Sequence, residues 1–276
     1  MTVGICGLGL IGGSMAKAYK ETGHSVYGYD ADASTLGFAS VAGIIDGELN
    51  DQSIPLCEVI FVALYPVAAV KYIESIAKRI NKETVVIDLC GTKQLVCEKG
   101  FSLAKKYGFT FVCGHPMAGT QYSGIKYSRA NLFKNAPLVI VPPVYDDIEF
   151  LDKIKKLLSP AGFGKISVTT AKEHDEVIAF TSQLAHVVSN AYVKSPTAKL
   201  HKGFSAGSYK DMTRVAWLNE RMWSELFLEN KEALIYEIET IINSLSEYKN
   251  AIKNNDFEEL TALLKEGRIA KEEIDG

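Results

Sequence analysis

The chain has 276 residues, enough for one large domain or two of ordinary size. Hydrophobic residues make up 47 % and charged residues 23 %, and 33 acids against 30 Lys and Arg leave a net charge of −3. No long run of either sign occurs, which argues against nucleic-acid and membrane partners, and the longest apolar run, 59–70, is interrupted by Pro66 and too short to span a bilayer.

Met1 leads straight into an apolar strand candidate, so no signal peptide is expected. From there the first part of the chain alternates short β-rich runs with helical stretches. Strand candidates fall at 2–6, 25–29, 59–64, 84–89, 110–113, 138–141 and 166–168, with helices at 11–22, 66–80, 93–107 and 147–158. Apolar strands alternating with helices imply a parallel sheet covered on both faces. After about residue 170 the sequence is nearly all helical, with one loop of small residues at 203–208. A long helix is expected over 172–194, and Ile235, Ile238, Ile241, Ile242 and Leu245 share one helical face. The expected division is an α/β domain over residues 1–169 and an all-α domain over 170–276. The five cysteines (Cys6, Cys57, Cys90, Cys97 and Cys113) contain no CxxC pair and read as reduced thiols of a cytoplasmic protein.

Gly7-Leu8-Gly9-Leu10-Ile11-Gly12 follows the first strand candidate and opens the first helix. This is the GxGxxG setting of a Rossmann dinucleotide site, and Asp30 closes the second strand candidate at the expected distance. Gly7 permits the tight turn, Gly9 lets the backbone approach a pyrophosphate, and Gly12 lets helix and strand pack closely. The helix N-terminus offers unpaired N–H groups to the phosphates. Asp30 would accept both hydroxyls of the adenine ribose and repel a 2′-phosphate, and no Lys or Arg lies between Lys20 and Lys71. Asp32 adds negative charge nearby. NAD is therefore expected over NADP, with Leu64, at the end of the third strand candidate, placed beside it. No metal is expected.

Three further segments bear on the substrate. Gly114-His115-Pro116-Met117-Ala118-Gly119-Thr120 lies just past the strand candidate ending at Cys113, where the carboxyl ends of strands line a ligand crevice. A histidine there can take a hydroxyl proton as hydride leaves the same carbon, or it is an ordinary loop histidine. Ser182 and His186 share a helical face and either line a cavity or are satisfied core groups. His174 and Asp175, near the start of that helix, read as capping and dipole groups. Arg214 follows the small-residue loop and suits bidentate carboxylate binding, or pairs with Glu220 or Glu225 at the surface.

Taken in order, these segments resemble the prephenate/arogenate dehydrogenase family. The likeness rests on the Gly-Leu-Gly-Leu-Ile-Gly-Gly-Ser opening, the Asp88…Lys93 turn, His115-Pro116-Met117-Ala118-Gly119, His174-Asp175, the Ser182…His186 helix, and Asp211-Met212-Thr213-Arg214 followed by Met222-Trp223. The resemblance implies a Rossmann domain joined to a helical dimerisation domain, hence a homodimer, and NAD-dependent oxidative decarboxylation of a cyclohexadienol, prephenate or arogenate. It implies that His115 deprotonates the ring hydroxyl, that Arg214 holds a carboxylate, that His186 shares the pocket and that Lys210 lies near its mouth.

The chain departs from the family at Gly91, where a serine often supports the catalytic histidine; Thr92 or a water is the expected substitute. Gln121 stands where relatives often carry an acid, and Gln183 and Ala185 replace the more usual His and Pro. No ACT or chorismate mutase segment is recognised. Two other readings remain: a related β-hydroxyacid dehydrogenase or imine reductase, which would expect a catalytic lysine on the interdomain helix, and a dinucleotide-sensing protein without catalysis.

Overall fold

A computed structural model describes residues 1–120 and 122–275 of the chain. The strands are β1 (Thr2–Cys6), β2 (Ser25–Tyr29), β3 (Gly47–Glu48), β4 (Val59–Val62), β5 (Val85–Asp88), β6 (Thr110–Pro116), β7 (Pro137–Val141) and β8 (Lys165–Val168). They form one sheet in the order β3-β2-β1-β4-β5-β6-β7-β8, parallel throughout except where β7 runs against β6. The apolar runs become strands buried on both faces. Val3, Ile5, Phe61, Val85, Ile87 and Val112 pack to one side, while Ile60, Val62, Val86 and Phe111 pack to the other. That two-sided burial is why these runs are apolar without alternation.

Helices α1 (Leu10–Glu21), α2 (Ala33–Val41), α3 (Pro66–Ile76), α4 (Gln94–Tyr107) and α5 (Ile148–Leu158) connect the strands. Strand order reverses between β1 and β4, so the crevice at the topological switch point opens beside the glycine loop that follows β1. Helix α2 and the two-residue β3 were not expected from the sequence. Ser34, Thr35 and Gly37 dilute the helical pattern of α2, which starts because Asp32 caps it, accepting from the N–H of Ser34 at 3.1 Å and of Thr35 at 3.2 Å.

The helical half comprises α6 (Ala171–Ile178), α7 (Ala185–Tyr192), α8 (Gly207–Thr213), α9 (Glu220–Glu229), α10 (Lys231–Lys253) and α11 (Phe257–Asp275). The helix expected over 172–194 is α6 and α7 joined by a π-helical stretch, Ala179–Leu184. Such an insertion is frequent at functional sites, and this one carries Gln183 toward α9, where its side-chain amide donates to the Leu226 carbonyl at 3.2 Å. Along α10 the expected apolar face stays largely uncovered within one chain: Ile235 is 45 %, Ile242 53 % and Leu245 60 % exposed.

The cysteines differ from the expectation of five free thiols. Cys97 and Cys113 form a disulfide, whereas Cys6, Cys57 and Cys90 are free and buried. The pair arises from tertiary packing of α4 against β6, which brings the two Cα atoms to 6.0 Å; a separation of 16 residues carries no pairing signal in sequence.

Candidate active site

At the glycine loop the backbone explains each residue. Gly7 has φ +84, a left-handed value, and its N–H donates to the Tyr29 carbonyl at 2.7 Å. A Cβ on Gly12 would lie 1.8 Å from the Gly7 carbonyl oxygen, so any side chain there would force α1 off the strand. A Cβ on Gly9 would meet nothing within 4 Å; the space above it is open for a ligand. Gly9 also caps α1 with no side-chain hydrogen bond, so the first turn, Leu10 and Ile11 included, presents bare N–H groups. Asp30, just past β2, accepts from the N–H of Leu8 at 2.7 Å and of Asp32 at 2.9 Å, which fixes its carboxylate beside the loop. Leu64 follows β4, and its side chain would touch a Cβ on Gly7 at 2.8 Å. The donor set, the open space and the fixed carboxylate fit a dinucleotide with free ribose hydroxyls. Asp32 is occupied as the α2 cap: the hydroxyls of Thr35 and Ser34, with the Ser34 N–H, hold its carboxyl down at about 2.

The second pole is assembled around His115. Strand β6 continues through Pro116, so His115 is a strand residue paired with Val139 of β7 rather than a loop residue beyond the strand. Its Nδ1 lies 2.9 Å from His174 Nε2, and His174 Nδ1 lies 2.7 Å from Asp175 Oδ1. His174 and Asp175, expected as capping and dipole groups of their own helix, are 3 % and 1 % exposed. Asp175 does cap a helix, but a different one: its carboxylate accepts from the N–H of Lys93 at 2.8 Å and of Gln94 at 2.9 Å, at the start of α4. Burial works to raise the Asp175 carboxyl, but these hydrogen bonds and the His174 ring outweigh it and hold it below the usual range. Lys93 is wholly buried, its ammonium 2.5 Å from Asp88 Oδ2 and 2.6 Å from the Gly114 carbonyl. Burial above all, with His174 and Lys93 beside it, pushes the His115 ring well below the ordinary histidine value, so it is neutral at pH 7.

The expected substitute for the missing serine is engaged elsewhere. Thr92 Oγ1 donates to Glu229 Oε2 at 2.9 Å, and a Cβ on Gly91 would meet both methyls of Leu226 at 3.4 Å. His115 instead finds its partner in His174. Burial and the neighbouring carboxylates of Glu225 and Asp175 raise Glu229 above the usual range despite the Thr92 hydrogen bond, and among the described residues its buried Oε1 meets no hydrogen-bond partner. Asn230 ties the cluster to the helical half, donating to the Asp175 carbonyl and to Gln183 Oε1, both at 2.8 Å.

His186 on α7 stacks on Trp223 of α9 with ring centroids 3.8 Å apart, and its Nδ1 donates to the Ser182 carbonyl at 2.9 Å. Burial, reinforced by Arg214, lowers its pKa despite that carbonyl. Arg214 is exposed just after α8, within electrostatic reach of His186, and Lys210 is exposed in α8. Among the described residues neither has an ion pair, so the surface pairing of Arg214 with Glu220 or Glu225 does not form. Gln121 lies outside the described residues. A cleft of about 860 Å³ opens between the two halves, lined by Tyr65, Lys71, Asn219, Arg221 and Glu225 among others. Among the described residues no cluster of His, Cys, Asp or Glu is placed to hold a metal ion.

Two family models match the chain: the prephenate dehydrogenase nucleotide-binding domain over residues 15–167 and the prephenate dehydrogenase dimerization domain over residues 170–266. A prephenate dehydrogenase of Bacillus subtilis is 28 % identical over 285 residues, covering 100 % of this chain and 76 % of the relative. The crystal structure of A. aeolicus prephenate dehydrogenase with hydroxyphenyl propionate and NAD+ superposes with a TM-score of 0.84 at 31 % identity, covering 100 % of this chain and 98 % of that one. The Synechocystis arogenate dehydrogenase structure gives a TM-score of 0.82 at 27 % identity, covering 99 % and 100 %. The first match begins at residue 15, so the glycine loop stands on its own geometry.

Proposed function

The chain belongs to the prephenate dehydrogenase family, and from that premise we propose that it oxidises and decarboxylates prephenate to 4-hydroxyphenylpyruvate, with NAD as oxidant. The observation that carries this reading is the neutral, half-buried His115 at the carboxyl end of a sheet whose switch point carries a phosphate-ready helix N-terminus. The cofactor, when bound, takes a hydride. Gly7, Leu8, Gly9, Leu10, Ile11 and Gly12 would hold its pyrophosphate, Asp30 its ribose hydroxyls, and Leu64 would pack beside it.

His115 would accept the proton of the ring hydroxyl as hydride leaves the carbon that bears it. The bond from the ring to its carboxylate then breaks; carbon dioxide leaves and the electron pair enters the ring, which becomes aromatic. The proton held by His115 returns to the phenolic oxygen, so no net proton is released. Arg214 would hold a substrate carboxylate, His186 would share the same pocket, Lys210 would lie near its mouth, Gln121 would serve the substrate, and Gly91, under Leu226, would form part of the floor. The domains would divide at residues 1–169 and 170–276. The uncovered face of α10 supports a homodimer built by the helical half. We place the dimer in the cytoplasm, where a charged dinucleotide is available; no helix among the described residues is long and apolar enough to cross a membrane.

The likeness to an arogenate dehydrogenase keeps arogenate as the second substrate to be tried. Purified protein mixed with NAD and prephenate should yield NADH and carbon dioxide in equal amounts. NADH without decarboxylation, or no NADH with either substrate, contradicts the reading.

A further inference from the structure

Among the described residues no carboxylate meets His115; its Nδ1 meets a second imidazole, and that imidazole meets the carboxylate of Asp175. The hydrogens on this chain follow by elimination. Asp175 already accepts from the N–H of Lys93 and Gln94 and from the Gln94 side-chain amide, at the positive end of α4, so it is ionised and donates nothing. His174 Nδ1 must then carry the hydrogen that joins it to Asp175. A neutral His174 has a bare Nε2, and His115 Nδ1 must donate to it. One ring nitrogen of His115 remains, Nε2, and it is unprotonated, which is the form a base needs. Among the described residues no hydrogen bond engages that Nε2.

We propose that His174, oriented by Asp175, fixes the tautomer of His115 and receives the proton relayed through it. This rests on the reading of His115 as the base. As the substrate O–H bond breaks, its electron pair stays on oxygen and its proton bonds to His115 Nε2. The Nδ1–H bond of His115 breaks in turn, and that hydrogen bonds to His174 Nε2. His115 is again neutral, and His174, with both ring nitrogens protonated, is a cation against the Asp175 carboxylate. Both transfers reverse when the phenol forms. The charged surroundings explain why the cation belongs on the second ring. The buried Lys93 ammonium, paired with Asp88, holds the Gly114 carbonyl next to His115 and disfavours a cation on that ring, while Glu229 faces Thr92. A positive His115 would sit beside that ammonium, whereas a positive His174 sits against a carboxylate.

Ring-nitrogen NMR of the unmodified protein, saturated with NAD at neutral pH, tests the assignment without a variant. His115 and His174 should both carry hydrogen on Nδ1 and show a bare Nε2. Hydrogen on Nε2 of His115 overturns the proposal. Kinetics give the second readout. His174→Gln retains an acceptor for His115 Nδ1–H but cannot take a proton, so kcat should fall about tenfold, less than the loss of a whole general base; His174→Leu removes the acceptor, and kcat should fall about a hundredfold, the lower edge of general-base contributions. KM and NAD affinity should change little in each. A pair that only caps α4 would alter stability and leave kcat in place, and that result sinks the relay. The two readings fail separately: near-normal kcat in His115→Asn removes the base itself, whereas loss of kcat there with unchanged His174 variants removes the relay alone.

Discussion

Between Gly7 and Asp30 the groups that face a cofactor come from one βαβ unit, and their roles follow from backbone alone: a positive φ, an open space over Gly9, an uncapped helix end. Around His115 the groups come from β5, β6, α4, α6 and α9, and side-chain hydrogen bonds over separations as large as 137 residues hold them together. The first pole is local and rigid by chain geometry. The second exists only once the two halves of the chain have packed, so it is the pole where single substitutions should separate binding from chemistry.

The largest effect is expected at His115. His115→Asn keeps a hydrogen-bonding side chain without a base, so kcat should fall roughly 10²–10⁴-fold while KM for prephenate changes modestly. The acid limb of kcat/KM, which in the unmodified enzyme should lie below 6.5 because burial lowers this group, should vanish in the variant. Steady-state kinetics over pH measure both.

Arg214→Ala removes a charge-assisted carboxylate contact of about 1.5–3 kcal/mol, so KM should rise at least about tenfold with NAD affinity unchanged. A KM that stays put would remove Arg214 from the substrate site. At the other pole, Asp30→Ala should weaken NAD binding several-fold and narrow the preference over NADP, read by titration with each cofactor. Equal affinity of the unmodified protein for the two would already break the contrast between the poles.

The smallest effect concerns stability. His115 has a lowered pKa when folded, so between that value and 6.5 the unfolded chain binds more protons; its contribution is complete above 6.5 and is lost as pH falls through the folded value. His186 acts in the same direction. Denaturant unfolding on either side of 6.5 should show stability declining with acid, less steeply in His115→Asn. An equal slope in both proteins would mean that the ring is solvated.

What could be read in the sequence follows the same division. GxGxxG and Asp30 lie on consecutive elements, so spacing alone located them, and the structure supplies the reason for each glycine. The apolar strands were legible because burial on both faces demands uninterrupted apolar residues. The antiparallel β7 was not, since strand direction leaves no mark on composition. His174 and Asp175 looked like capping groups because they stand near a helix start. Asp175 does cap, but it caps α4 across the fold, a contact no local pattern shows. The one available signal was an adjacent His and Asp on a helix whose neighbours are apolar. Glu229-Asn230 stood out only as a polar pair at the end of the segment that follows Arg214 and Met222-Trp223, with no role readable there; their roles come from burial against Thr92, Gln183 and Asp175.

The two poles must act on one substrate, and isotope transfer tests this most directly. Prephenate carrying deuterium on the carbon that bears the ring hydroxyl should deliver that deuterium to the reduced cofactor, one label per carbon dioxide released, and in His115→Asn the rate of transfer should fall with kcat. Label that appears in water or stays in the product, with NADH unlabelled, would contradict direct hydride transfer between the two poles.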